Sequence, residues 1–327
     1  MERIINKTRV IGVDISVERT TIAIVDIRGH IVASGDFKTL DYLNIDDFIS
    51  KLSKELIILI DENGGFGSIR SVGISAPSAN FRTGCIENAP NMPWKGIIPM
   101  AAMLRDRLGL AVAITNDSKA IAMGEYTFGS AHGMRDFAII TIGHGLGCGY
   151  YSHGKLCNGH SGLSGEVGHS CVVPDGRKCE CGLEGCLETY VAEKGIIKTA
   201  KEMMAESSEP SIMRNIVDSI TPKIIVECCE KGDKMAIDVY NKTGHILGLA
   251  LANFASIVDP EAIIITGGIA HAGHWLFDPL CESFDQHIFH NMKGNVKILE
   301  STLNGRERDV LGASVLAWNV KEYSLFK

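Results

Sequence analysis

His169, Cys179, Cys181 and Cys186 bring one imidazole and three thiols into a span of eighteen residues. That donor set suits a tetrahedral zinc ion. Gly182 and Gly185 flank the turn from Cys181 to Cys186, and Pro174 and Gly176 let the chain reverse between His169 and Cys179. Four side-chain donors leave no open coordination position, so the expected role is structural. The plainer alternative is a set of reduced core thiols beside an unrelated histidine. A dithiol redox pair fits less well, because Cys179 and Cys181 are spaced C-x-C rather than C-x-x-C. The other seven of the ten cysteines are scattered.

A second candidate is Asn116-Asp117, which follows an apolar run over Ala111–Thr115. An aspartate at the carboxyl end of a parallel strand stands where open α/β sheets keep their ligands. The competing reading is a helix N-cap ahead of Ser118–Tyr126. Glu166 and Glu188 stand beside the candidate metal ligands, although either alone reads as an ordinary solvated carboxylate.

Two β-meanders have to position these groups. Arg9–Asp14, Thr20–Asp26 and His30–Gly35 read as the strands of the first. Phe137–Thr141, Gly147–Ser152 and a short strand after His153-Gly154 repeat the pattern. Helical spacing follows the first meander over Asp46–Asn63, and a buried strand over Ser71–Ser75. Beyond Glu188 the pattern is mostly helical, over Glu188–Met204, Pro222–Glu230 and Asp233–Val258, with a strand at Ala262–Thr266 before Gly267-Gly268. A last helix, Asp309–Val320, is expected to cover the N-terminal sheet. The duplication implies two lobes sharing a cleft, divided as residues 1–118 plus 310–327 and residues 119–309.

At 327 residues, 45% hydrophobic and 22% charged, the chain has the make-up of a water-soluble globular protein large enough for two cores. A net charge of −7 and the lack of any Lys/Arg run argue against nucleic acid. No apolar stretch reaches membrane-spanning length, and the polar Met1–Thr8 segment is not a signal peptide, so a cytoplasmic location is expected.

Leu163-Ser164-Gly165-Glu166-Val167-Gly168-His169 followed by Cys179-Glu180-Cys181-Gly182-Leu183-Glu184-Gly185-Cys186-Leu187-Glu188 closely resembles the signature of the ROK family of sugar kinases and sugar-responsive repressors. Asp14, Gly73-Ile74-Ser75-Ala76-Pro77, Asn116-Asp117, Thr141–Gly149 and Thr266-Gly267-Gly268 extend the resemblance along the chain. It implies a two-lobed actin-like/ribonuclease H-like ATPase (sugar kinase) fold, an α/β architecture with duplicated β-meander plus helix/strand units. It further implies a hexose substrate held by Asn91, Asn116, Asp117, Glu166, His169 and Glu188, with Asp117 as catalytic base. ATP with Mg would be bound near Asp14, Arg19, Gly143, Gly145, Gly267 and Gly268. A homodimer or tetramer is also implied.

The chain departs from that resemblance at the first phosphate turn. Where the family has Asp-x-Gly-Gly-Thr, this sequence reads Asp14-Ile15-Ser16-Val17-Glu18-Arg19-Thr20. Glycine lets backbone N–H groups approach phosphate, Val17 does not, and Glu18 adds repulsion. The second turn keeps its glycines but carries His144 and Cys148. Lys119 is also unusual, and an exposed helix face is its expected place, with a cleft-facing cation as the alternative. Three readings follow: an ATP-dependent hexose kinase acting at the 6-hydroxyl; a catalytically impaired sugar-binding sensor with an eroded phosphate loop; and a repressor, which the acidic charge disfavours.

Overall fold

The structure is a computed structural model describing residues 7–303 and 305–320. Expectations for residues 1–6 and 321–327 lie outside the described residues. The chain separates into two compact units, residues 1–133 with 158–164 and 302–327, and residues 134–157 with 165–301.

In the first unit, β1 (Arg9–Ile15), β2 (Arg19–Asp26) and β3 (Ile31–Lys38) form the antiparallel meander, and α1 (Ile45–Glu62) leads into β4 (Ile69–Ala76). A small three-stranded sheet of β5 (Ala79–Asn80), β6 (Cys85–Glu87) and β7 (Ile97–Ile98) follows; its strands are too short to leave a pattern in the sequence. Then come α2 (Met100–Leu108), β8 (Ala111–Asn116) and α3 (Asp117–Phe128). The main sheet has the order β3-β2-β1-β4-β8, with β1, β4 and β8 parallel.

The second unit repeats this plan. β9 (Phe137–Ile142), β10 (Leu146–Ser152) and β11 (Lys155–Leu156) make the meander. Helices α4 (Glu188–Val191), α5 (Glu193–Glu206), α6 (Pro222–Glu230) and α7 (Lys234–Val258) precede β12 (Ala262–Thr266), α8 (His274–His287) and β13 (Lys297–Glu300). The sheet order is β11-β10-β9-β12-β13, the same 3-2-1-4-5 arrangement as in the first unit. Two copies of this sheet bear out the duplication that the meanders implied and the ribonuclease H-like architecture that the family resemblance implied. The helix expected over Glu188–Met204 is interrupted at Ala192, whose extended backbone frees the Glu193 N–H to bond Gly143 O at 2.9 Å.

Period-2 alternation sorts the first sheet's side chains onto two faces. Ile11, Val13, Ile15, Ile22 and Ile24 pack with Phe48, Ile49, Leu52, Leu56 and Ile60 of α1, while Val10, Ala23 and Val25 join Val310 and Ala317 of the last helix, α9 (Gly305–Trp318). That helix returns to the first unit and lies flat on β1 and β4. A Cβ at Gly12 or Gly73 would meet Val310 O at 2.2 Å or Ala313 O at 2.0 Å. Helix α3 packs on α9 as well, which keeps it whole within the first unit and puts the division at Gly133 rather than between residues 118 and 119. Among the described residues, no helix is long and apolar enough to cross a membrane.

Candidate active site and metal centre

Register sets the first unit's polar groups along one sheet edge. Asp14 pairs with Ser75 across β1 and β4, and Ala76 with Asn116 across β4 and β8, so the carboxyl ends of three parallel strands converge there. Ser75 Oγ donates to Asp14 Oδ1 at 2.9 Å. Asn116 caps α3, its side chain accepting the Ser118 N–H at 3.0 Å, and Asp117 Oδ1 accepts the same N–H at 2.7 Å. The N-cap reading therefore holds for Asn116 and leaves Asp117 as the first residue of the helix.

Removal from water dominates the electrostatics. Burial, the charge of Asp309 and that of Asp117 push the Asp14 carboxyl up to about 8, against the hydrogen bond from Ser75. Burial also raises Asp117, with Asp309 adding to it and the Ser118 hydrogen bonds opposing it. Asp309, itself raised by burial, is partly offset by Arg308, whose Nε donates to Asp309 Oδ1 at 2.8 Å. Sequence reasoning missed Asp309, because nothing in the local pattern ties a residue of α9 to the ends of β1 and β8.

Two expectations are corrected here. Lys119 is buried at 5% exposure, its ammonium donating to Gly162 O. The segment 158–164 covers it, held on this unit by Asn80 Nδ2 to Ser161 O at 3.2 Å and by the Arg82 guanidinium on His160 O. Arg19, expected to reach a phosphate, instead pairs with Asp36 across β2 and β3. The turn between β1 and β2 closes on itself: the Ser16 N–H and Ser16 Oγ both donate to Arg19 O, at 3.0 and 2.8 Å, and the Arg19 N–H donates to Ser16 Oγ at 3.3 Å. Asn91 is exposed on the turn after β6.

In the second unit the four metal-type donors come together, with all their ligand atoms within 4.8 Å of one another. Cys181 Sγ lies 3.7 Å from Cys186 Sγ, and Cys179 Sγ 3.7 Å from His169 Nδ1. Tetrahedral zinc with Zn–S bonds of about 2.3 Å needs ligand atoms about 3.8 Å apart, so the set fits that ion. Glu166 is exposed and opens the one-turn helix Val167–His169. The segment reaches this place because Gly165 and Gly168 lie flat on β10, where a Cβ would meet Cys148 O at 2.4 Å or Leu146 O at 2.6 Å. Glu188 turns toward the cluster, with Oε1 3.2 Å from Cys179 Sγ and 3.6 Å from His169 Nδ1.

Arg177, which the sequence did not flag, anchors this loop. Its guanidinium stacks 4.6 Å from the Tyr190 ring centre, donates to Thr189 O, Gly195 O and Thr199 Oγ1 at 2.8, 3.0 and 2.9 Å, and pairs with Glu202. The second glycine turn is tied to the start of α5, because His144 Nδ1 faces Glu193 as well as the backbone bond from Glu193 to Gly143. Gly145 lies beside Glu188 Oε2, and Gly267 has φ +96° with Ile142 O only 2.3 Å from where a Cβ would stand. Gly268 has open space around it.

Comparison with known proteins finds relatives aligned over nearly the whole chain. A glucokinase from Streptomyces coelicolor is 31% identical over 315 residues, covering 94% of this chain and 96% of that protein. A xylose repressor from Caldicellulosiruptor bescii is 28% identical over 304 residues, covering 91% of this chain and 75% of the repressor. The solved structure of a ROK family glucokinase from Streptomyces griseus, in complex with glucose and AMPPNP, is 31% identical with a TM-score of 0.79, covering 95% of this chain and 100% of that one. The ROK family model matches residues 10–320, and the chain belongs to the ROK family.

Proposed function

We propose that this protein is an ATP-dependent hexose kinase transferring the γ-phosphoryl group to the 6-hydroxyl of a glucose-like or N-acetylated hexose. The observation that carries the reading is Asp117, at the carboxyl end of β8, with its carboxyl raised by burial toward the pH at which a general base works best. Asp117 takes the proton of the attacking hydroxyl, and the Ser118 N–H fixes its orientation. Asn91, Asn116, Glu166, His169 and Glu188 are the residues assigned to the sugar hydroxyls, as carboxylates, amides and imidazole suit vicinal diols. Asp14, Gly143, Gly145, Gly267 and Gly268 are assigned to MgATP. The glucokinase relatives, aligned over nearly the whole chain, support sugar-kinase activity.

His169, Cys179, Cys181 and Cys186 are proposed as zinc ligands, the ion supplying a four-coordinate cross-link with no free position. A cytoplasmic homodimer or tetramer completes the proposal.

The closed turn after β1 favours a second reading, a sugar-binding sensor with weak or no turnover. Ser16 and Arg19 spend their N–H groups inside the turn, and Arg19 spends its charge on Asp36. A coupled assay of ADP release from MgATP over a hexose panel, with Asp117→Asn as control, separates the two. Turnover on one sugar that disappears in the control establishes the kinase. Silence across the panel, with sugar binding still seen by calorimetry, establishes the sensor.

A further inference from the structure

Cys171 takes no part in the metal-type cluster and is exposed, yet it stands directly opposite Cys186, which is wholly buried. The two form an isolated antiparallel bridge bracketed by Val172 N to Gly185 O at 2.9 Å and Leu187 N to Ser170 O at 3.0 Å. Bonds on either side of the pair, and none between its own backbone groups, define the non-hydrogen-bonded class of cross-strand neighbours. In that class the Cα atoms are about 4.5 Å apart and the side chains leave the same face. Disulfides span Cα separations of roughly 4.4–6.8 Å, so the backbone already stands at bridging distance.

We propose that Cys171 is an oxidative modification site whose product is a Cys171–Cys186 disulfide, opened by a hydroperoxide. The Cys171 sulfur takes the distal oxygen of the hydroperoxide, whose O–O bond breaks and whose remainder leaves as an alcohol, or as water from hydrogen peroxide. The Cys186 sulfur then attacks the Cys171 sulfenic acid; the S–S bond forms, the S–O bond breaks, and the hydroxide departs as water with the remaining thiol proton. Two thiols and one hydroperoxide thus yield one disulfide, one alcohol and one water. The product removes one sulfur from the four-donor set, leaving His169, Cys179 and Cys181. Metal release is the consequence.

The test treats the reduced full-length protein with hydrogen peroxide, blocks free thiols, and maps tryptic peptides by mass spectrometry. Cleavage after Arg177 and Lys178 separates the two cysteines, and fragment ions distinguish Cys171 from Cys157 on the same peptide. The expected product joins Cys171 to Cys186 in both zinc-loaded and metal-free protein, so the bridge is read independently of the metal assignment. Zinc followed with a chromophoric chelator should leave the wild type at least tenfold faster than Cys171→Ser. A bridge between Cys181 and Cys186, or zinc loss from Cys171→Ser as fast as from the wild type, overturns the proposal.

Discussion

The two units carry the same five-stranded sheet and prepare their functional edges by opposite means. In the first, Asp14, Asp117 and Asp309 are taken from water with Arg308 as the one cation among the causes of their shifts, so the edge favours protonated carboxyls over charged ones. In the second, thiols and an imidazole cluster beside the buried Arg177, which holds the stretch from Gly165 to α4 in place. Because one fold supports both, the sheet dictates where a site lies and leaves open how its side chains are held.

The comparison breaks most visibly at Asp117. Asp117→Asn should lower kcat by about 10²- to 10⁴-fold, the usual worth of a general base, while metal content measured by atomic absorption stays unchanged. If chemistry were instead seated in the second unit, the substitution would leave turnover intact. Arg177→Met probes the opposite side. Losing the guanidinium strands three acceptors and the Glu202 carboxylate, so chemical denaturation should show a loss on the order of 3 kcal/mol, with the sugar affinity of the surviving folded fraction little altered.

A pH series sharpens the contrast further. Asp14 is raised from 3.8 to about 8, so between those values the folded state holds a proton that the unfolded chain has released. Stability is then greatest below the unfolded value and falls as pH rises toward about 8, by at most about 1.4 kcal/mol per pH unit. Asp14→Asn should flatten the melting temperature over pH 5 to 8; an unchanged slope would remove Asp14 as its source. The smallest effect concerns the first turn. Val17→Gly restores backbone freedom there but leaves the Ser16–Arg19 bonds in place, so a gain of only a few-fold in MgATP affinity by calorimetry is expected.

What could be read from the chain and what could not follow from distance along it. The metal-type set was legible because its four donors fall within eighteen residues and their glycines permit the turn. The duplicated meanders were legible because alternation is a local signal, and both sheets follow it. Lys119 was misplaced because the carbonyl that buries it lies 43 residues away, in a segment whose docking no periodicity announces. Arg19 faces Asp36 only once β2 and β3 are paired in register. The break at Ala192 has no Pro or Gly to mark it, since a tertiary bond from Glu193 to Gly143 makes it. Arg177 reads as an ordinary surface cation until four residues of the following helices enclose it.

The path of α9 sets an order of events during synthesis. The second unit, apart from its boundaries, is contained in residues 134–301, whereas the first awaits residues 302–320 before Val10, Ala23 and Val25 are covered. A nascent chain therefore emerges with an uncapped apolar sheet face that stays open while nearly two hundred residues are translated, a time of roughly 10–40 s at ~5–20 residues per second. During that interval the growing polypeptide is a natural client for holding chaperones, and stalling before Gly305 would leave the N-terminal sheet as an aggregation nucleus beside a finished C-terminal unit.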